Sequence, residues 1–316
     1  MSRHPLGRAR PRALVPLLAA LALGAGCAQI AKLKGAGPSP ETAALSHKLD
    51  LYVECLNDVD NQLHSAYHDY TARVDRAKGP SKEHAPSSLY VRNEIEPCFD
   101  KLKQGMAAPP ALTELDAGAQ SYLAALQQLA PVLKEATEYY RQEDYKDDNF
   151  AKGRQLHGPL VAAFEQFDKA SDQFHNALDA EDLRFKEREL AEIEQKQGRN
   201  LSYLSRALML RAKQLVKLGA SDPVELDKYQ PALDAYSQAV DEASNYYNAH
   251  RAELGERGSC WQVVERSARD FLKEGKDKVR NLREKKKPSP GLYSADRFVD
   301  AYNNLIMMSN NCRQML

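Results

Sequence analysis

The sequence lacks the motifs by which most enzyme classes are recognised. It contains no His-Glu-x-x-His zinc motif, no glycine-rich phosphate loop and no Gly-x-Ser-x-Gly elbow. Its formal net charge is zero, which gives no indication of a nucleic-acid partner. We therefore expect a non-enzymatic protein without a cofactor, and an unrecognised hydrolase remains the alternative.

Long apolar runs are also absent, because the most apolar stretch, residues 13–23, is about half the length of a membrane-spanning helix. An arginine-rich start precedes this stretch. The small residues Gly24, Ala25 and Gly26 follow it and end on Cys27. This order is typical of a bacterial lipoprotein signal peptide over residues 1–26, with Cys27 as the lipidation site. Gly24 stands where a branched aliphatic residue is usual, so an ordinary cleaved signal is the alternative.

Acylation of Cys27 by chains such as palmitate would anchor the protein stably, since each buried methylene contributes about 0.8 kcal/mol. Ala28 and Gln29 follow, without the aspartate that retains lipoproteins at the inner membrane. We therefore expect an outer-membrane lipoprotein that faces the periplasm and contacts the membrane through its N-terminal anchor. Residues 27–40 are predicted to be a flexible tether, because their second half is rich in glycine and proline.

The remaining chain is weakly acidic. Removal of residues 1–26 takes away four arginines and no acidic residue, which leaves 40 basic and 44 acidic residues. Its length of about 290 residues exceeds that of most single domains, although an elongated bundle can reach it. We expect one helical bundle domain over residues 41–316.

Runs in which every second residue is apolar, the pattern of a β-strand, are missing as well. Instead, apolar residues recur at alternating steps of four and three. One such run is Leu45, Leu49, Tyr52, Leu56, Val59, Leu63, Ala66 and Tyr70. This spacing places the apolar side chains on one helix face. It predicts an all-α, elongated bundle of long antiparallel helices over 41–77, 88–105, 112–142, 150–197, 200–218, 224–254, 259–285 and 294–315. Gly198 alone does not decide whether 150–218 is one helix or two.

Two of these helix faces resemble each other and indicate a possible internal duplication. The first contains Tyr122, Leu126, Leu129, Leu133, Ala136 and Tyr140, and the second contains Tyr229, Leu233, Tyr236, Val240, Ala243 and Tyr247. They would form equivalent helices. The alternative is that packing in a bundle selects similar faces independently.

Four cysteines remain besides Cys27, namely Cys55, Cys98, Cys260 and Cys312. An even number in an oxidising compartment predicts two disulfides, for which three pairings exist. Pairing within each sequential hairpin is the least demanding, and each bridge would then stabilise the fold by roughly 4 kcal/mol. Buried free thiols are the alternative.

The turn between the third and fourth predicted helices is the candidate ligand site. It contains eight oxygen- or nitrogen-bearing side chains, those of Tyr139, Tyr140, Glu143, Asp144, Tyr145, Asp147, Asp148 and His157. They could hold a divalent cation or a small molecule. An EF-hand is excluded, because Lys146 and Gln155 occupy two of its ligand positions. A solvated acidic turn that caps a helix is the competing interpretation.

Several segments resemble the YiiG-type lipoproteins. They are Leu49–Asn57, Tyr139–Phe150, Gly153–Leu160 with Phe164 and Phe167, and Ala301–Leu305. The resemblance spans most of the chain after residue 40, and 139–167 is its most specific part. It implies a lipid-anchored helical domain of unknown function and transfers no catalytic residue.

Two further groups of residues are most simply interpreted as exposed surface residues. His64 and His68 lie one and two positions from the apolar face of the first helix, so they are expected to be exposed rather than to bind a metal. Lys285, Lys286 and Lys287, together with Arg280 and Arg283, could contact anionic lipid head groups or simply end a solvated helix. The leading hypothesis is a scaffold or binding lipoprotein with an unidentified envelope protein partner.

Overall fold

A computed structural model describes residues 39–86, 89, 91–92, 94–221, 223–284 and 297–312. In these residues the protein is all-α, which confirms the predicted fold class. The helices are α1 (Pro40–Arg73), α2 (Glu96–Ala107), α3 (Thr113–Arg141), α4 (Tyr145–Asp148), α5 (Ala151–Gln197), α6 (Leu201–Gly219), α7 (Leu226–Leu254), α8 (Glu256–Arg283) and α9 (Arg297–Cys312).

Residues 150–218 form two helices rather than one rod. Gly198 has a φ of 70°, a left-handed conformation that glycine adopts without steric cost. Its amide still donates to the carbonyl of Glu194, and the Asn200 side chain then accepts a hydrogen bond of 3.0 Å from the Tyr203 amide. The chain therefore ends α5 and caps α6 within three residues.

The helix predicted over 88–105 is wrong at its start, because α2 begins only at Glu96. Side chains of the long helices bind the backbone before it. Thr137 donates a 2.7 Å hydrogen bond to the carbonyl of Leu89, and the Arg92 amide donates at 2.7 Å to Gln62. These two bonds satisfy backbone groups that would otherwise bond within a helix. Leu89 can therefore be buried in the core without being helical.

The first compact unit contains α1 to α4 and α5 up to Glu189. Tyr52 packs against Phe174, and Tyr70 binds His157, so α1 and α5 run antiparallel. From the start to the end of α1, Tyr52, Asp60 and Tyr70 contact successively later residues of α3, so α1 and α3 run parallel. The shorter α2 lies along α1 and continues into α3 through a tight connection at residues 108–112.

The second compact unit starts at Leu190 and contains α6 to α9. The hydroxyl of Tyr236 donates to the carbonyl of Ala268 at 3.0 Å, which ties α7 to α8. Asn304 donates to Ser267 at 3.2 Å, which ties α9 to α8. Trp261 is completely buried here. Successive helices of this unit run antiparallel.

Both faces of the proposed repeat are core faces. All six residues of the first are buried in α3, and all six of the second are buried in α7. The two helices have the same length, 29 residues. These positions are compatible with equivalent helices, one in each compact unit, and the duplication itself stays a prediction, as does a single domain over 41–316.

The four described cysteines form two disulfides, Cys55–Cys98 and Cys260–Cys312. The Cα atoms are 4.7 Å apart in the first bridge and 5.6 Å in the second. This is the local pairing that the sequence favours. The first bridge joins α1 to α2, and the second joins α8 to α9.

The predicted signal peptide (1–26), Cys27 and almost all of the tether (27–40) lie outside the described residues. Within the described ranges, none of the helices combines the length and the apolar character that a bilayer crossing requires.

Non-reducing peptide mapping should recover Cys55 linked to Cys98 and Cys260 linked to Cys312. Replacement of both Cys260 and Cys312 by alanine should lower the free energy of unfolding by about 4 kcal/mol, because an open chain gains loop entropy on unfolding. Urea titration followed by circular dichroism measures this loss. A peptide that links Cys55 to Cys312 would contradict the pairing.

Candidate functional site

The predicted ligand site forms the end of the first unit where α1, α3 and α5 meet. Tyr139 packs edge-on against Tyr140 with ring centroids 5.0 Å apart, and Tyr145 stacks on Phe150 at 4.9 Å. Tyr139 and Tyr140 are buried, and burial raises the pKa of both phenols. These tyrosines therefore act first as core residues.

Asp148 is committed to local structure. Its carboxylate accepts a 2.8 Å hydrogen bond from the Tyr139 hydroxyl and a 2.9 Å bond from the Lys152 amide in the first turn of α5. The backbone amide of Lys152 and the Tyr139 hydroxyl hold the pKa of Asp148 below its usual value. Asn149 and Phe150 both have positive φ, which turns the chain into α5. This is the helix-capping interpretation of the acidic turn.

His157 is also internally bound. Its Nε2 lies 3.0 Å from the carbonyl oxygen of Arg76, so Nε2 carries the proton, and its Nδ1 accepts a 2.8 Å hydrogen bond from the Tyr70 hydroxyl. Burial raises the pKa of Tyr70 to about 12, so this phenol keeps its proton. The loop after α1 passes close to the His157 ring at Gly79, where a Cβ would lie only 3.3 Å from the imidazole.

The remaining acidic side chains do not converge. Glu143 pairs with Lys146, whereas Asp144 and Asp147 make no side-chain hydrogen bond with the described residues. Throughout the described ranges, no group of three or more His, Cys, Asp or Glu side chains is placed to hold a metal ion. The turn thus brings its aromatic residues together but leaves its carboxylates apart.

A polar cluster that was not predicted lies at the centre of the first unit, around the buried carboxylate of Asp60. Its Oδ1 accepts hydrogen bonds from the Tyr122 hydroxyl at 2.9 Å and from the Ser171 hydroxyl at 2.7 Å. Its Oδ2 lies 3.0 Å from His175 Nε2 and 3.5 Å from His64 Nε2. One carboxylate therefore joins α1, α3 and α5.

Opposing effects set the charges of this cluster. Burial alone would raise the pKa of Asp60, but hydrogen bonds from His175 and His64 outweigh it and hold the pKa well below its usual value. Burial alone would lower the pKa of His64, but hydrogen bonds to Asp168 and Asp60 raise it to about 10. Asp60 is thus an anion and His64 a cation at neutral pH.

Ser171, His64 and Asp168 have the connectivity of a catalytic triad. His64 Nε2 lies 3.3 Å from Ser171 Oγ, and His64 Nδ1 lies 3.1 Å from Asp168 Oδ1. A general base must hold a free lone pair, yet His64, whose pKa is raised to about 10, is protonated on both ring nitrogens at neutral pH. Ser171 is buried, and its hydroxyl already donates a hydrogen bond to Asp60. The arrangement therefore serves as a structural ion pair rather than an activated nucleophile.

A second buried charge lies nearer the start of α1. Lys48 is completely buried, and its ammonium group donates to the Ala108 carbonyl at 3.0 Å and to Asp116 at 2.9 Å. Asp116 also accepts a 2.7 Å bond from Tyr52 and a 2.9 Å bond from the Leu112 amide. Lys48 and Asp116 together fix the connection from α2 to α3.

The expectation that His64 and His68 are surface residues is wrong for His64. Its side chain is 17% exposed and its ring packs against Phe167, whereas the His68 side chain is 73% exposed. A helix that contacts several neighbours buries more than its narrow apolar stripe. In the sequence, the sign of this polar cluster was Ser171, a polar residue on the apolar face of α5 that contains Phe167 and Phe174.

Comparison with known proteins agrees with the resemblance in the sequence. A family model described as "Protein of unknown function (DUF3829)" matches residues 43–311. The chain is 28% identical over 249 residues to "Uncharacterized protein YiiG" of Escherichia coli (strain K12), which covers 78% of this chain and 68% of that protein. No solved structure matches the chain.

Replacement of Asp60 by asparagine should lower the free energy of unfolding by roughly 3–5 kcal/mol, because it removes the buried anion that pairs with both His64 and His175. Asp58→Asn is the matched control on the same helix. Asp58 pairs with Lys101 at a partly exposed position and should cost at most about 1 kcal/mol. Equal losses in the two variants, measured by urea unfolding, would contradict a special role for Asp60.

The stabilisation by His64 should depend on pH. The pKa of His64 is raised from 6.5 to about 10 in the folded state, so its contribution is complete below pH 6.5 and is lost as the pH rises through 10. The stability difference between the parent and His64→Gln should therefore shrink from pH 6.5 to pH 10. A difference that stays constant over this range would refute the assigned charge.

Proposed function

We propose that this chain, which belongs to the DUF3829 family of proteins of unknown function, acts as a lipid-anchored, non-enzymatic protein of the cell envelope. In this proposal an acylated Cys27 holds the chain at the outer membrane. The helical surface then serves as a binding or scaffolding surface in the periplasm.

The distribution of cysteines carries this proposal. Four of the five cysteines form disulfides between neighbouring helices, which persist in an oxidising compartment such as the periplasm. The fifth, Cys27, directly follows the signal-like segment. Export explains the paired thiols, and lipidation explains the remaining one.

A surface role fits the way the buried polar groups are used. Asp60, His64 and Lys48 each bind a polar side chain of another helix in the first unit. Their partners are Ser171, Asp168 and Asp116, respectively. His157 and Asp148, which were candidates for a ligand site, bind Tyr70 and the start of α5 in the same manner. Recognition would then depend on exposed side chains rather than on these groups.

Metabolic labelling with palmitate and separation of the two bacterial membranes test the proposal. The parent chain should lose residues 1–26, take up label and sediment with the outer membrane. Cys27→Ser should take up no label. Ala28→Asp should remain labelled but move to the inner membrane, which separates lipidation from sorting.

An unprocessed chain in the cytosol would refute the proposed location. Palmitate uptake by the Cys27→Ser variant would refute the proposed lipidation site. Cross-linking in intact envelopes tests the scaffolding part, which fails if the chain is recovered only without a partner.

A further inference from the structure

A regular row of basic residues runs along the exposed side of α8. The row, here called the basic stripe, consists of Arg266, Arg269, Lys273, Lys276, Arg280 and Arg283. Their spacing alternates between three and four, so they lie on one side of the helix over about 25 Å. All six residues are exposed, because the opposite side of α8 packs into the second unit.

The stripe differs in charge from the rest of the protein. Residues 266–283 contain seven basic and three acidic residues, whereas the rest of the chain after residue 26 contains 33 basic and 41 acidic residues. The acidic groups around the stripe are Glu265, Asp270, Glu274 and Asp277 on α8, Glu284 directly after it, and Asp234 and Asp241 on α7. The positive charge is therefore local rather than a property of the whole surface.

Two of the six basic groups pair with a carboxylate of the described residues, and four do not. Arg269 pairs with Glu265, and Arg280 pairs with Asp277. Arg283 donates to the side chain of Gln230 at 3.0 Å. The other three residues, Arg266, Lys273 and Lys276, make no ion pair with any part of the chain that the structure describes.

An exposed apolar residue lies beside the start of the stripe. Val263 is 46% exposed and lies about one turn before Arg266. A soluble polyanion would use the basic groups alone. A lipid surface uses both kinds of residue, because basic groups bind head-group phosphates while apolar side chains enter the interface.

We propose that the basic stripe of α8 docks the second unit onto the anionic phosphate head groups of a lipid bilayer. The inference deepens the proposed function, since a lipid anchor would keep the domain within reach of such a surface. The predicted contact at Lys285–Lys287 continues the stripe in sequence but lies outside the described residues.

Vesicle sedimentation tests this docking with the mature chain carrying Cys27→Ser, so that no acyl chain contributes. The parent should bind phosphatidylcholine vesicles that contain phosphatidylglycerol, should not bind pure phosphatidylcholine, and should dissociate at high salt. The triple variant Arg266→Gln, Lys273→Gln, Lys276→Gln should lose on the order of a hundredfold in partitioning, since each of the three basic groups contributes about fivefold.

The matched control is Lys82→Gln, Lys134→Gln, Arg154→Gln, which removes the same charge from exposed positions in the first unit. It should bind like the parent. Equal loss in the control, equal binding to neutral vesicles, or binding to soluble polyphosphate but not to vesicles would each overturn the proposal. Because the test omits the lipid anchor, its result does not depend on whether Cys27 is acylated.

Discussion

The buried carboxylate of Asp60 is the interaction on which the first unit depends. It lies between α1, α3 and α5 and accepts hydrogen bonds from Tyr122, Ser171 and His175. A sliding of any one of these helices by a turn would leave an anion in the core without partners, at a cost of several kcal/mol. Apolar faces alone would tolerate such a shift more easily, so the carboxylate defines the register of three helices.

The second unit reaches its register by different means. Its core contains no ion pair like that of Asp60 and His64 among the described residues. Instead, buried tyrosines such as Tyr229 and Tyr236 donate to backbone carbonyl oxygens of α8. The disulfide Cys260–Cys312 adds a covalent constraint between α8 and α9. Neutral groups of this kind avoid the desolvation of a charge and leave the charged residues on the surface.

The helices were predictable because their apolar spacing is regular and because glycine and proline separate them. The local disulfides follow from the order of the helices, whereas the sequence left open whether the chain breaks at Gly198. The start of α2 was not predictable, because side chains from α1 and α3 bind the backbone before it. Such contacts join residues about 30 to 50 positions apart, and local spacing contains no record of them.

The candidate site shows a second limit of the sequence. The tyrosines and acidic residues of 139–148 are close in sequence, which suggested a ligand site, yet Tyr139 and Asp148 bind each other and the start of α5. The groups that do converge come from two distant parts of the chain. Asp60 and His64 lie four residues apart on α1, each one position off the apolar face, whereas Ser171 lies 107 positions after His64 on α5. Only the packing of α5 against α1 brings them together.

The position of Trp261 has a practical consequence. It is the only tryptophan of the chain, and it is completely buried in the second unit beside the cysteine of a disulfide. Its fluorescence therefore reports on that unit alone, whereas the far-ultraviolet signal sums over both. The natural sequence thus contains an optical probe that can separate the melting of one half from the melting of the other.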